Sequence, residues 1–136
     1  MNFAERMRDH LIRRIPVDKE RAASLKAAAE DVLATLKLIP VRKESAKTIV
    51  RETYEGIRQS FEVLGYERGY KFESHEAIFH FILDVLKEQE IAQLFDRYRL
   101  LRNKINYYGK EVDVTTAERA KKDAARIISR FCASLS

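Results

Sequence analysis

Five polar residues late in the chain fall into register when drawn on a helix. Arg99, Arg102, Asn103, Asn106 and Lys110 stand at i, i+3, i+4, i+7 and i+11, so a helix through them carries one polar strip. A guanidinium offers paired N–H donors that match two oxygens of a phosphate or carboxylate, and an amide side chain adds both a donor and an acceptor. Beside this strip runs an apolar seam, Ile91, Leu94, Phe95, Tyr98, Leu101, Ile105 and Tyr108, whose spacing points it into a helical core. Roughly opposite the seam lies a third strip of Asp96, Leu100, Asn103 and Tyr107. Two readings fit Leu100 and Tyr107 there. Single exposed apolar residues are common on any surface. Alternatively, two copies of the helix meeting across a two-fold axis would cover them and set both polar strips along one shared groove.

Other groups able to do chemistry are scattered. His10, His75 and His80 are the only histidines, and none lies in a His-x3-His or Cys-His arrangement, so no metal site is expected. His75 reads as a helix-start residue and His80 as a partly buried one, although a histidine from another helix or a second chain can still reach the polar strip. Gly65 and Gly69 are not followed by the Lys-Ser/Thr of a phosphate loop. Glu73 and Glu76 near a helix start are explained by the helix dipole. Cys132, the single cysteine, reads as inert packing on a basic helix. Tyr66, Tyr70 and Phe72 can either stack bases or pin a loop to the core.

The chain of 136 residues has the length of one domain, taken as 1–136, with a short N-terminal helix over 1–16 and a bundle core over 18–134. Four Gly and two Pro, with both prolines in the first 40 residues, leave the rest free of helix breakers. The single cysteine precludes an internal disulfide and fits a cytoplasmic setting. Charges through the first 15 residues interrupt any signal-peptide core, and no stretch approaches the ~20 apolar residues of a membrane span. The net charge of +5 is unevenly spread: residues 1–51 hold 12 Lys/Arg against 7 Asp/Glu, 52–96 hold 4 against 10, and 97–136 hold 10 against 4. That asymmetry fits an anionic partner such as RNA, like chains docking basic on acidic surface, or a plainly solvated bundle.

Periodicity sets six helices that must position the polar strip. A first spans Asn2 to Ile15, with Phe3, Met7, Leu11 and Ile15 every fourth residue, and stops at Pro16. Asp18 caps a second with Ala22, Leu25, Ala29, Val32, Leu33, Leu36 and Ile39 on one face, cut at Pro40. A third, from about Arg42 to Gly65, buries Ala46, Ile49, Val50, Thr53, Ile57, Phe61 and Leu64 and forms an antiparallel hairpin with the second. Residues 65–73 read as the one long loop. Ser74 caps a fourth helix with Ala77, Ile78, Phe81, Ile82, Val85 and Leu86 as its stripe. The fifth carries the strips described above to Gly109, and Thr115 with Glu118 forms a capping box opening a sixth, cored by Ala120, Ala124, Ile127, Ile128 and Phe131. The expected fold is all-α, a compact up-and-down bundle of five to six helices.

The run Arg102-Asn103-Lys104-Ile105-Asn106-Tyr107-Tyr108, after Leu100-Leu101 and ending at Gly109, resembles the motif helix of the HEPN superfamily. The likeness extends to the layout over roughly 18–134: a long helical hairpin, Ser74-His75-Glu76 opening a helix, the motif helix and a last helix. The family pattern is an arginine, often a polar neighbour, three further residues and a histidine; Arg102 matches the arginine, Asn103 the neighbour, and Tyr107 stands where the histidine would be. The resemblance implies a homodimer of toxin or defence type that binds RNA and, in active members, cleaves it without metal or cofactor. It assigns Arg102, Asn103 and Tyr107 to the catalytic position; taken with the two helical strips, Arg99, Arg102, Asn106 and Lys110 are expected at nucleic-acid contact and Asp96, Leu100, Asn103 and Tyr107 at the dimer interface. A tyrosine with pKa near ~10 is a far poorer general base at neutral pH than a histidine near ~6.5. The surviving groups therefore suit binding a phosphate better than cleaving RNA, and any ribonuclease activity is expected to be weak or degenerate. From another class, the missing histidine and acidic middle also fit a non-catalytic interaction module or adaptor, partnered with an antitoxin or a nucleotidyltransferase-type protein.

Overall fold

A computed structural model describes residues 2–8 and 11–132. Among them are six helices and one two-stranded sheet: α1 (Phe3–Arg8), β1 (Ile12–Arg14), α2 (Lys19–Leu38), α3 (Ala46–Arg68), β2 (Tyr70–Phe72), α4 (His75–His80), α5 (Gln89–Tyr108) and α6 (Val114–Cys132). The chain is an all-α bundle, as its periodicity requires.

The antiparallel hairpin of α2 and α3 follows from local signals at both ends. Asp18 caps α2 by accepting the Arg21 N–H at 2.9 Å, and its own N–H donates to the Tyr66 carbonyl at 3.0 Å near the far end of α3. At the other end, the Ser45 hydroxyl donates to the Pro40 carbonyl at 2.6 Å and accepts the Arg42 N–H at 2.9 Å. This tight turn delays α3 to Ala46, four residues later than the sequence pattern suggests.

Helix α3 is the central element, packed against α2, α5 and α6. Phe61 meets Phe95 of α5 and Phe131 of α6, and Gly56 lets Val32 of α2 and Ile128 of α6 close on its backbone. Contacts from α5 to α6 run in opposite order along the two helices: the Tyr98 hydroxyl donates to Asp123 Oδ2 at 2.6 Å, while Arg130 reaches back to Glu88. Helices α2, α3, α5 and α6 thus alternate up and down.

Two sequence expectations fail together, for one reason. The predicted helix over Asn2–Ile15 is not one helix, since residues 12–14 form β1, and the expected loop over 65–73 instead continues α3 to Arg68 and then forms β2. The strands pair antiparallel, Ile12 with Phe72, Arg13 with Lys71 and Arg14 with Tyr70. Pairing satisfies backbone groups of both segments, and Ile15 is already biased to extended backbone because Pro16 follows it. Gly69 makes the reversal: it caps α3 at φ +82°, and a Cβ there would lie 2.8 Å from the Ile15 carbonyl oxygen. Tyr70 and Phe72 pack on Phe81, so these aromatics pin the segment to the core, while Tyr66 is buried within α3 itself.

Ser74 caps α4 by accepting the Ala77 N–H at 3.1 Å, as expected. Its stripe continues through a π-helical turn, Phe81–Val85, that the sequence did not signal. The sixth helix begins before the anticipated capping box: Asp113 Oδ1 accepts the Thr116 N–H at 2.7 Å, so Asp113 is the cap instead of Thr115. The anticipated core face of α6 is buried throughout.

Candidate functional site

Helix α5 presents its polar strip beside α3 and the start of α4, and a linked cluster forms there. Capping by Ser74 places His75 in the first turn of α4, where its ring stacks on Phe95 with centroids 4.3 Å apart and planes 19° from parallel. Tyr54, on the buried side of α3, stacks on the same Phe95 at 5.5 Å. The Tyr54 hydroxyl lies 3.2 Å from His75 Nδ1, and His75 Nε2 lies 3.2 Å from Asp96 Oδ1. Asp96 Oδ1 also accepts Arg99 Nε at 3.2 Å and Nη2 at 3.1 Å. One turn further, the Arg102 guanidinium lies over the Tyr54 ring at 4.5 Å.

Chemistry assigns the protons along this chain. A carboxylate only accepts, so Nε2 of His75 carries the hydrogen and donates to Asp96, leaving Nδ1 to accept from Tyr54. The ring is neutral at pH 7: burial, assisted by the positive charges of Arg99 and Arg102 and opposed by Asp96, pushes its pKa down from 6.5 to about 4. Burial likewise raises the Tyr54 phenol above its ordinary value, against the pull of Arg102. Both histidine nitrogens are therefore occupied, and the hydroxyl bonded to one of them resists ionisation.

The arginines differ in how firmly they are held. Arg58 is gripped by Glu55 and Glu62 on its own helix and is not free to meet a ligand. Among the described residues Arg99 pairs only with Asp96, and both side chains are partly open to solvent, at 29% and 39%. Such a pair is worth about 0–1 kcal/mol, little enough for a phosphate to displace. Arg102 is half-buried on Tyr54, and its Nε is buried without a hydrogen-bond partner among the described residues.

The remaining sequence-selected residues divide. Asn103 is half-buried on α5, and Asn106 is exposed, its Oδ1 facing Arg51 Nη1 of α3 at 3.5 Å. Leu100 and Tyr107 are 44% and 77% exposed on the outer strip. Lys110 is exposed but stands past the α5 cap at Gly109, so it leaves the helical strip on which the sequence placed it. Tyr108 is a plain correction: expected in the core seam, it is 83% exposed. Ile105 closes the buried seam of α5, and Val112, returning beyond Gly109, joins the core in its place.

Tyr54 and His75 are the members that the sequence reading did not select. Tyr54 was available as a core-face position four residues after Val50, and His75 as one of only three histidines, but nothing local links either to Asp96. Among the described residues no cluster of three or more His, Cys, Asp or Glu could hold a metal, and no helix is long and apolar enough to cross a membrane.

The fold and site together define an up-and-down helical bundle with a half-buried, arginine-flanked His–Asp–Tyr network that joins α3, α4 and α5. No protein-family model matches the chain, and no curated protein or solved structure matches it.

Proposed function

We propose that this chain is a HEPN-like homodimeric RNA-binding protein of toxin or defence type, in which Arg102 and Arg99 take the RNA phosphates. The observation that carries this reading is Arg102: its guanidinium is held over the Tyr54 ring, and among the described residues its buried Nε has no hydrogen-bond partner and no carboxylate pairs with it. Arg99 stands one turn back in a weak, open ion pair. Asn103 and Asn106 border them with amide groups. Leu100 and Tyr107, exposed on the neighbouring strip, are where a second copy would pack, so that both arginine pairs border one groove.

The same geometry favours binding over cleavage. Scission through the 2′-hydroxyl needs a base for that proton and an acid for the leaving oxygen. His75 has both nitrogens engaged, Tyr54 is buried with a raised pKa, and Tyr107 stands exposed, so no group here is poised as the base. Ribonuclease activity in this reading is degenerate.

The test is incubation of metal-free protein with labelled single-stranded RNA over a range of salt, recording retardation and cleavage for wild type and Arg102→Ala. Retardation should weaken with salt, and removal of one phosphate contact should shallow the log–log slope by about 0.7. Unaltered binding in Arg102→Ala would refute the assignment.

The saturated His75 network also favours a second reading, a non-catalytic adaptor that packs its Leu100–Tyr107 strip on an antitoxin or nucleotidyltransferase-type partner. A wild-type chain that retains no RNA and is monomeric would move the assignment there.

A further inference from the structure

Tyr108 and Tyr107 are neighbours in sequence but sit about 100° apart around α5. Tyr107 lies on the strip with Leu100 and Asn103, whereas Tyr108 lies one turn beyond Lys104 and Ile105, over the end of the bundle where the core has already closed. Tyr108 is 83% exposed and lies outside the buried core, which Val112 joins instead.

The surroundings of this ring are basic. Arg51 reaches Asn106 from α3, and Lys47 pairs with Glu111 at 3.0 Å, so the first turns of α3 stand beside the last turn of α5. Lys104 and Lys110 are exposed on either side of Tyr108 in sequence. A cleft lined by Lys43, Glu111, Val112, Asp113 and Val114 opens at the same end. Of the carboxylates there, Glu111 is paired with Lys47 and Asp113 is engaged in capping α6, leaving Glu44.

The N-terminus of α3 adds to this field. Its first turn holds no acidic residue, and the Ser45 hydroxyl turns back to Pro40 and Arg42 instead of capping it. The first turn of this 23-residue helix thus brings no carboxylate of its own to the end that stands next to the lysines.

Resting on the RNA-binding reading above, we infer that Tyr108 is a base-stacking platform for single-stranded RNA, with Arg51, Lys104 and Lys110 holding the flanking phosphates. An exposed ring flanked by the exposed cations Arg51, Lys104 and Lys110 suits a splayed strand, whose bases are free to stack and whose backbone is anionic. A duplex hides its base faces and would gain nothing from the ring. Tyr107, on the other strip, is left to the second copy.

The two adjacent tyrosines give the test its controls. Affinity for a labelled ten-nucleotide single-stranded RNA is measured by anisotropy for wild type, Tyr108→Ser, Tyr108→Phe and Tyr107→Ser, with the sedimentation of each variant and with the same RNA as a duplex. Both rings lie outside the core, so folding should be unaffected, and circular dichroism checks it. Loss of one stacked base should cost between about 5- and 150-fold in Tyr108→Ser, while Tyr108→Phe keeps the ring and stays near wild type. Tyr107→Ser should shift the oligomeric state in sedimentation, which Tyr108→Ser should not.

Wild-type affinity in Tyr108→Ser, with Arg102→Ala still defective, would overturn the platform and leave the RNA-binding reading standing. Failure of the wild type to bind any RNA would overturn both. Dissociation to monomer in Tyr108→Ser would show that the ring serves a second copy, which also overturns the platform.

Discussion

Protonation of His75 should register in the stability of the whole domain. In the folded chain its pKa lies at about 4, whereas an unfolded histidine titrates near 6.5. Above 6.5 both states hold the ring neutral and His75 contributes no pH dependence. As pH falls below 6.5 the unfolded chain takes up a proton that the folded chain refuses, so stability falls until the folded ring also protonates near pH 4. The full displacement corresponds to about 3 kcal/mol. Solvent beside the partly open Asp96 and Arg99 side chains screens the interaction, so roughly 1–2 kcal/mol should be lost. Urea midpoints taken every half unit from pH 7.5 to 4 give the curve, although carboxylates throughout the bundle also titrate at the acid end. The difference between wild type and His75→Gln isolates the ring, because the amide neither titrates in this window nor alters the distant carboxylates. His75→Gln should be the less stable protein at pH 7, having lost its stack on Phe95 and its bond to Tyr54. The gap between the two should then narrow by about 1–2 kcal/mol toward pH 4. A proton resonance of His75 titrating near 6.5 in the folded protein, with a constant gap between the two curves, would refute the buried neutral ring and the hydrogen-bond chain built on it.

Tyr98→Phe should lower stability by about 1.5–3 kcal/mol, measured as a shift in urea midpoint, because the bond it removes is to a carboxylate. That hydroxyl joins α5 to Asp123 of α6, and burial together with Asp123 pushes the phenol pKa well above its ordinary value. Gly56→Ala tests the closest helix crossing, where the new Cβ would stand 2.6 Å from Ile128 Cδ1 and 2.9 Å from Val32 Cγ1. Overpacking costs about 1–3 kcal/mol and alanine returns about 1 kcal/mol of helix propensity, so a net loss is expected by thermal melting; a rise in midpoint would mean that the neighbouring side chains yield freely.

What the sequence by itself determined was whatever is written in windows of a helical turn or two. Asp18 and Ser74 announce helix starts, Gly109 a stop, and the spacing of Ile91 through Ile105 fixes which side of α5 is buried, because capping and amphipathic burial depend only on residues three or four apart. The polar strip of Arg99, Arg102 and Asn103 is legible for the same reason. Periodicity misleads where a local pattern competes with a distant partner. Leu11 and Ile15 keep a helical repeat, yet residues 12–14 become a strand because Tyr70–Phe72 offers backbone pairing from across the chain. Tyr108 continues the seam, yet the buried face ends one turn before it at Ile105, and the chain beyond Gly109 returns Val112 to the core. The candidate site was half visible in the same sense: its arginines share one helix, whereas His75 stands 21 positions from both Tyr54 and Asp96. Only the packing of α3, α4 and α5 around Phe95 joins those three, since which rings stack on that phenylalanine depends on how the helices cross, and that is decided by the burial of the whole core.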